Sequence, residues 1–299
     1  MDSGSVVEEK FELEKPEVLE KKRRREDVKK EREKVRKFGA RDFEILRTVA
    51  RLRYVTSREL RNVFFPYEDA GRKRLKVLSG QDLIRPHRKG LPLYLNYTVW
   101  RITTRGIREL AHAFPDEGVL DTMAARAGEN SLREFEHREK ISEVYFDLIA
   151  DKSISVIRQK ANQFWWQPDG ETILRYEYLG KLHRIIPDVT ATSRVKNVRL
   201  FVELDRSTKD LARIEANLRE YRKYLEHVYP QVFKDRKAPA LVYIVRSAGR
   251  KESIERVAAK VGFGRLPLTV IVQGREKEWL ENTLLDVSRI VLPLEEEEM

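Results

Sequence analysis

From Ala40 onward the apolar residues fall into short periods that change character along the chain. "ARDFEILRTVARLR" sets Phe43, Leu46, Val49 and Ala50 on one helical face. "TSRELRNVFF" predicts a second helix capped by Thr56 or Ser57, with Glu59 in its first turn and Pro66 as its stop. "DAGRKRLKVLSG" predicts a third helix. Leu75 and Leu78 point inward, Arg72, Lys73 and Lys76 point outward, and Gly80 closes it. "DLIRPHRKGLPLYLNYTVWRIT" reads as two short strands around a loop holding Gly90 and Pro92, and "TRGIRELAHAF" as a further helix.

The pattern lapses over "PDEGVLDTMAARAGEN" and resumes in "SLREFEHREKISEVYFDLIAD". There Ile141, Val144, Tyr145 and Leu148 form the buried stripe, and Ser131 with Glu134 matches a capping box. Strand and helix then alternate. "SVIRQKANQFWW", "TILRYEYLG", "RIIPDVTAT" and "VRLFVELD" are predicted strands, with a turn at Gly180. "KDLARIEANLREYRKYLEHVY" is a long helix with Leu211, Ile214, Leu218, Tyr221 and Leu225 in register. "ALVYIVRS" and "LPLTVIVQ" are strands, and "RKESIERVAAKV" and "REKEWLENTLLDV" are helices. Trp165 and Trp166 face opposite sides of their strand: one belongs to the core, the other to a base or an interface.

Composition narrows the partner. The 299 residues hold 60 Lys and Arg against 49 Asp and Glu, a formal charge of +11, which favours a polyanion. No apolar run is long enough to span a bilayer and no signal-peptide core is present, so a cytoplasmic protein with no membrane partner is the expectation. Cysteine is absent, which excludes disulfides and thiolate metal sites. Residues 1–38, with "EKKRRREDVKKEREKVRKFG", form a charged arm, helical or unstructured. Its interleaved acids blunt a phosphate-binding role.

Three short helices, a basic two-stranded hairpin and a closing helix resemble a winged helix-turn-helix, with "YTVWRITTRGIREL" as its close. The resemblance implies DNA, in double-stranded form, as partner. Arg72, Lys73 and Lys76 would reach base edges in the major groove, and Arg74 a phosphate. Arg85, His87, Arg88 and Lys89 would lie on the backbone or in the minor groove. Winged-helix proteins often dimerise, so a homodimer is among the expected assemblies.

"IIPDVTATSRVKNVRLFVELDRSTKD" carries the candidate chemistry. Fourteen residues separate Asp188 from Glu203, which places them side by side on neighbouring strands joined by a short turn. Glu203 and Asp205 share one strand face. Three such oxygen donors suit Mg²⁺ (or Mn²⁺), which would neutralise a phosphate and acidify an attacking water. For each residue there is a plain structural alternative. Asp188 ends a strand, Glu203 forms a salt bridge, and Asp205 caps the next helix in competition with Ser207 or Thr208. His137 on the buried stripe is a satisfied core histidine or a site contact, while Glu136 and Glu143 belong to a solvated helix face. Arg213, Asn217 and Tyr221 follow at i, i+4 and form a polar row, with Arg213 on phosphate and Tyr221 as a candidate nucleophile.

Pro187-Asp188 and Glu203-Leu204-Asp205 resemble the two halves of the PD-(D/E)XK nuclease signature, with Asp205 where that superfamily has lysine. The resemblance implies a restriction-endonuclease-like core of helix, three strands, helix and strand over residues 131–246. A closer resemblance covers roughly residues 38–230. "PD", "VELDRST", His137 in "REFEHREKISEVYFDL" and Tyr221 look like the plasmid replication-relaxation protein family, with Asn217 where a lysine would stand. This implies DNA processing for a plasmid or mobile element.

The resulting expectation is an α+β chain of two domains: a winged helix-turn-helix over 39–115 and a nuclease-like mixed β-sheet flanked by helices over 131–292. A linker at 116–130 joins them and an acidic tail, 293–299, follows. Asp188 and Glu203 would hold the metal and Asp205 assist, while Arg206 or Lys209 contact phosphate in a nicking or cleaving endonuclease. The alternative is a non-catalytic initiator, accessory factor or repressor that keeps the nuclease fold as scaffold. A third class is an interaction scaffold that binds no nucleic acid.

Overall fold

The computed structural model describes residues 38–87, 97–115, 135–168, 172–206, 210–234 and 237–291. The arm up to residue 37, the 116–130 segment, Ser131 with Glu134, and the acidic tail lie outside them. The chain divides into two compact units, 1–42 and 43–299. Of the first, only residues 38–42 are described; there the Gly39 N–H donates to Asp42 Oδ2 at 2.9 Å.

The second unit is α+β. Helices α1 (Ala40–Leu52, which enters from the first unit), α2 (Ser57–Phe64) and α3 (Glu68–Gly80) precede a small antiparallel sheet. That sheet has the order β1 (Val55–Thr56), β3 (Val99–Ile102), β2 (Ile84–His87), and α4 (Thr104–Ala113) follows it. The predicted caps resolve onto Thr56: its Oγ accepts from the Glu59 N–H, and its own N–H donates to Glu59 Oε2 at 2.8 Å. Leu75 and Leu78 are buried, and Arg72, Lys73 and Lys76 are exposed, as the α3 pattern predicts.

One expectation for α1 is corrected. Its predicted single apolar face understates its burial, because every residue from Glu44 to Leu52 is buried. The charged positions are accommodated by partners within the helix and far along the chain. Arg51 Nη1 donates to Tyr145 Oη at 2.8 Å, and Glu44 pairs with Arg47 and Arg158.

Helices α5 (Phe135–Ile149) and α6 (Ile154–Asn162) lead into a five-stranded mixed sheet. Its order is β10 (Leu268–Val272), β9 (Ala240–Val245), β8 (Arg199–Asp205), β7 (Val189–Ser193), β4 (Phe164–Pro168). The pairs β4–β7 and β7–β8 are antiparallel; β8–β9 and β9–β10 are parallel. A hairpin of β5 (Leu174–Tyr178) and β6 (Lys181–Ile185) forms a separate two-stranded sheet. Helix α7 (Leu211–Lys223) continues through a π turn (Tyr224–Val228) into α8 (Tyr229–Val232), while α9 (Ala248–Lys260) and α10 (Glu276–Leu284) complete the unit.

The strand predicted over "SVIRQKANQFWW" is a helix followed by a strand. Val156, Ile157 and Ala161 recur on one helical side and are buried, and the strand begins only at Phe164. "RIIPDVTAT" is likewise two strands, broken at Ile186–Asp188, where Pro187 has no N–H to offer a ladder. Trp166 is in the core and Trp165 is 42% exposed on the edge strand, with the Arg194 guanidinium 3.8 Å above its ring.

Glu59 supplies a measurable signature of the first layer. Burial pushes its carboxyl up to about 7 despite hydrogen bonds from Thr56 that favour the anion. The folded state therefore holds the proton more tightly than the unfolded chain. The resulting stabilisation is complete below pH 4.5 and is lost as pH rises through about 7. Relative to Glu59→Gln, which keeps the cap, wild type is expected to lose about 3 kcal/mol across that window. Urea unfolding at a series of pH values measures this; a pH-independent difference between the two proteins contradicts it.

Candidate functional site

The break at Ile186–Asp188 sets the site. Strands β7 and β8 pair with Val189 opposite Val202, so Asp188 directly precedes the paired stretch on one strand and Glu203 directly follows it on the other. Both carboxylates line a cleft of about 720 Å³, together with His137, Arg206, Arg213, Asn217, Arg219, Lys223 and Tyr243.

Each carboxylate is held. Asp188 Oδ2 accepts the Leu204 N–H at 2.7 Å, and His137 Nε2 lies 3.0 Å from Oδ1. His137 is thus a site contact and not a core residue. Its position on α5, one turn before Ile141, brings it to the end of β7. Glu203 is 2% exposed, and Tyr221 Oη donates to its Oε1 at 2.8 Å. Tyr221 Oη titrates well above its ordinary value, first because of burial and then because of the Glu203 charge. Tyr243, opposite Glu203 on β9, is raised for the same reasons, and it accepts from Asn217 Nδ2 at 3.2 Å.

Several sequence expectations change here. Tyr221 is fully buried and donates its hydroxyl proton to Glu203 Oε1, so it is not an exposed nucleophile. Asp205 does share a strand face with Glu203, but Arg250 takes it. Arg250 Nε donates to Oδ2 at 2.5 Å and Nη2 to Oδ1 at 3.3 Å, with the Asp205 side chain 1% exposed. Asp205 is thus held by a two-pronged contact with Arg250. The cap of α7 is Asp210, whose side chain accepts the Arg213 N–H at 2.7 Å. Leu211, predicted inside, is 39% exposed. Among the described residues no group of three or more His, Cys, Asp or Glu side chains is arranged to hold a metal.

Arg206 pairs with Glu136 at 2.7 Å on the rim. Arg213 is exposed at the cleft, one turn before Asn217, in the predicted polar row. Lys209, Arg88 and Lys89 lie outside the described residues. In the first layer Arg85 is exposed, Arg74 is half-buried, and His87 packs its ring 5.0 Å from Tyr54.

Sequence reasoning missed Tyr243, Arg219, Lys223 and Arg250. Tyr243 was concealed in an apolar strand. Arg250 left one signal: a cation in the first turn of α9, where the helix dipole disfavours it unless an acid is near.

The replication-relaxation family model matches residues 46–237, well over half of the chain and inclusive of Asp188, Glu203 and Tyr221. No curated protein and no solved structure matches the chain at a significant level.

Proposed function

Because the chain belongs to the replication-relaxation family, we propose that it is a DNA-processing protein of a plasmid or mobile element. In this reading it nicks or cleaves phosphodiester bonds at the Asp188–Glu203 cleft. The observation that carries it is that Asp188 and Glu203 line one cleft together with the exposed Arg213, and with Arg206, Arg219 and Lys223, which pair with Glu136, Glu215 and Glu220. A structural salt bridge would need no such opening, and a cationic rim suits a phosphate chain.

The first layer reads as a winged helix, with α2 and α3 as the helix-turn-helix and β2–β3 as the start of the wing. Arg72, Lys73 and Lys76 face outward on α3, as a major-groove helix requires. The five-stranded sheet with α5 and α7 against it reads as the nuclease-like core, with the β5–β6 hairpin as an insertion between β4 and β7.

Two carboxylates and no thiolate suit a hard, hydrated Mg²⁺ or Mn²⁺, which is commonly held by one or two carboxylates, waters and substrate phosphate. Asp188 and Glu203 are the residues to hold it. When bound, the ion would supply charge neutralisation at the scissile phosphate and a more acidic water. The remaining roles belong to the chain. His137 and the Leu204 N–H orient Asp188, and Tyr221 orients Glu203. Arg213 and Arg219 hold the neighbouring phosphates.

A second reading is favoured by one specific observation. The position that carries lysine in PD-(D/E)XK enzymes holds Asp205, neutralised by Arg250. A DNA-binding initiator or repressor on a silent nuclease scaffold fits that pair. Supercoiled plasmid with Mg²⁺ or Mn²⁺ separates the two readings. Open circles that require the ion and vanish in Glu203→Gln are expected for the enzyme. Retarded bands with no open circles in either protein indicate the binder.

A further inference from the structure

The β5–β6 hairpin has two unlike faces. Its inner face is anchored: Tyr176 Oη donates to Glu220 Oε2 at 3.0 Å, and His183 Nδ1 lies 2.8 Å from the same oxygen. Tyr176 stacks on His183 at 5.1 Å, and Tyr178 stacks on His227 of the π turn at 5.1 Å. Its outer face holds the cross-strand pairs Arg175–Arg184 and Glu177–Leu182, all exposed, and one step further Ile173 faces Ile186.

That outer face conflicts with what a merely solvated hairpin requires. Leu182 is 79% exposed, Ile173 36% and Ile186 37%. Arg175 and Arg184 stand directly opposite, a like-charge pairing that the single acid of that face, Glu177, offsets only in part. At the tip, Leu179 and Gly180 have φ of 52° and 72°. Two-residue turns with positive φ at both positions favour Asn or Asp before Gly, and leucine there is strained. Leu179 is also 85% exposed. A strained and exposed leucine beside a second exposed leucine and a repelling arginine pair points to a ligand that is apolar between two anionic edges.

We propose that this hairpin is a DNA-contacting finger. Leu179 and Leu182 enter a groove as an apolar wedge, while Arg175 and Arg184 lie on the flanking phosphates. Wedges of this kind unstack a base step and bend the duplex. The inference rests on the DNA-processing reading above and gives it a second contact surface, continuous with the site. Ile186, at the base of β6, lines the Asp188–Glu203 cleft. Leu182 lies six residues before Asp188, so at full extension about 20 Å, or some six base pairs, separates wedge from carboxylates.

The test uses the full chain with a 30-bp duplex labelled at both ends for energy transfer, titrated at several salt concentrations. Leu179→Asn/Leu182→Ser keeps turn chemistry and removes the wedge. It is expected to weaken binding about tenfold, with unchanged salt slope and without the end-to-end shortening of wild type. Arg175→Gln/Arg184→Gln is expected to lower the slope of log K against log salt by about 1.8. Circular dichroism confirms that both variants fold, and each pair tests the finger independently of the other. If wild type binds and both variants bind, bend and respond to salt as it does, the finger is refuted while the DNA reading stands. If the leucine pair instead abolishes self-association and leaves DNA binding intact, the surface joins copies of the chain and the finger is again refuted. Failure of wild type to bind any duplex refutes both readings.

Discussion

Asp188→Asn is expected to lower ion-dependent nicking of supercoiled DNA by about a thousandfold while leaving duplex affinity within a few-fold of wild type. An ion at a developing phosphate charge contributes several kcal/mol to the transition state, and each 1.36 kcal/mol is tenfold in rate. The amide keeps an oxygen for the Leu204 N–H, so the local backbone hydrogen bond is retained. What is lost is the negative charge that faces the cleft and pairs with His137. Initial rates of open-circle formation, with affinity measured in parallel, make the comparison. Equal rates in the two proteins would remove Asp188 from the chemistry.

Arg250→Met is expected to give the largest loss of stability, about 3–5 kcal/mol, because it removes the cation held against a buried carboxylate. Asp205 has a 1% exposed side chain and a two-pronged contact with Arg250. For a unit of this size the loss corresponds to a fall in melting temperature on the order of 10 °C. Replacing both partners, as Asp205→Leu/Arg250→Met, is expected to recover most of it, since the cost lies in burying the acid without its cation and not in the absent attraction. Thermal unfolding of the two variants and wild type gives the answer. A double variant no more stable than Arg250→Met would show that the pair does more than neutralise a buried acid.

The sequence pattern made the helices and the meeting of Asp188 with Glu203 legible because both depend on local rules. Period 3.6 places Leu75 and Leu78 inside, and a short turn between two apolar runs sets the β7–β8 register. What it could not supply were the partners of buried charge. Arg250 reaches Asp205 across 45 residues, and Arg51 reaches Tyr145 across 94. Periodicity treats such positions as solvent-facing, which is also why α1 was expected to show one apolar face. The "SVIRQKANQFWW" run failed for a different reason. A nine-residue helix runs into a strand after one residue, and Val156 and Ile157 carry β-branched chemistry into the helical part. The burial of Tyr221 against Glu203 was not legible, because it follows from the packing of α7 on β8 and not from its spacing.

The pairing of Asp188 with Glu203 as an ion-holding site is the claim on which the function rests, and Mn²⁺ titration followed by electron paramagnetic resonance tests it without DNA. Wild type is expected to bind an ion that is lost or greatly weakened in both Asp188→Asn and Glu203→Gln, while Asp205→Asn, whose carboxylate belongs to Arg250, retains it. Equal Mn²⁺ occupancy in wild type and the first two variants would contradict the site.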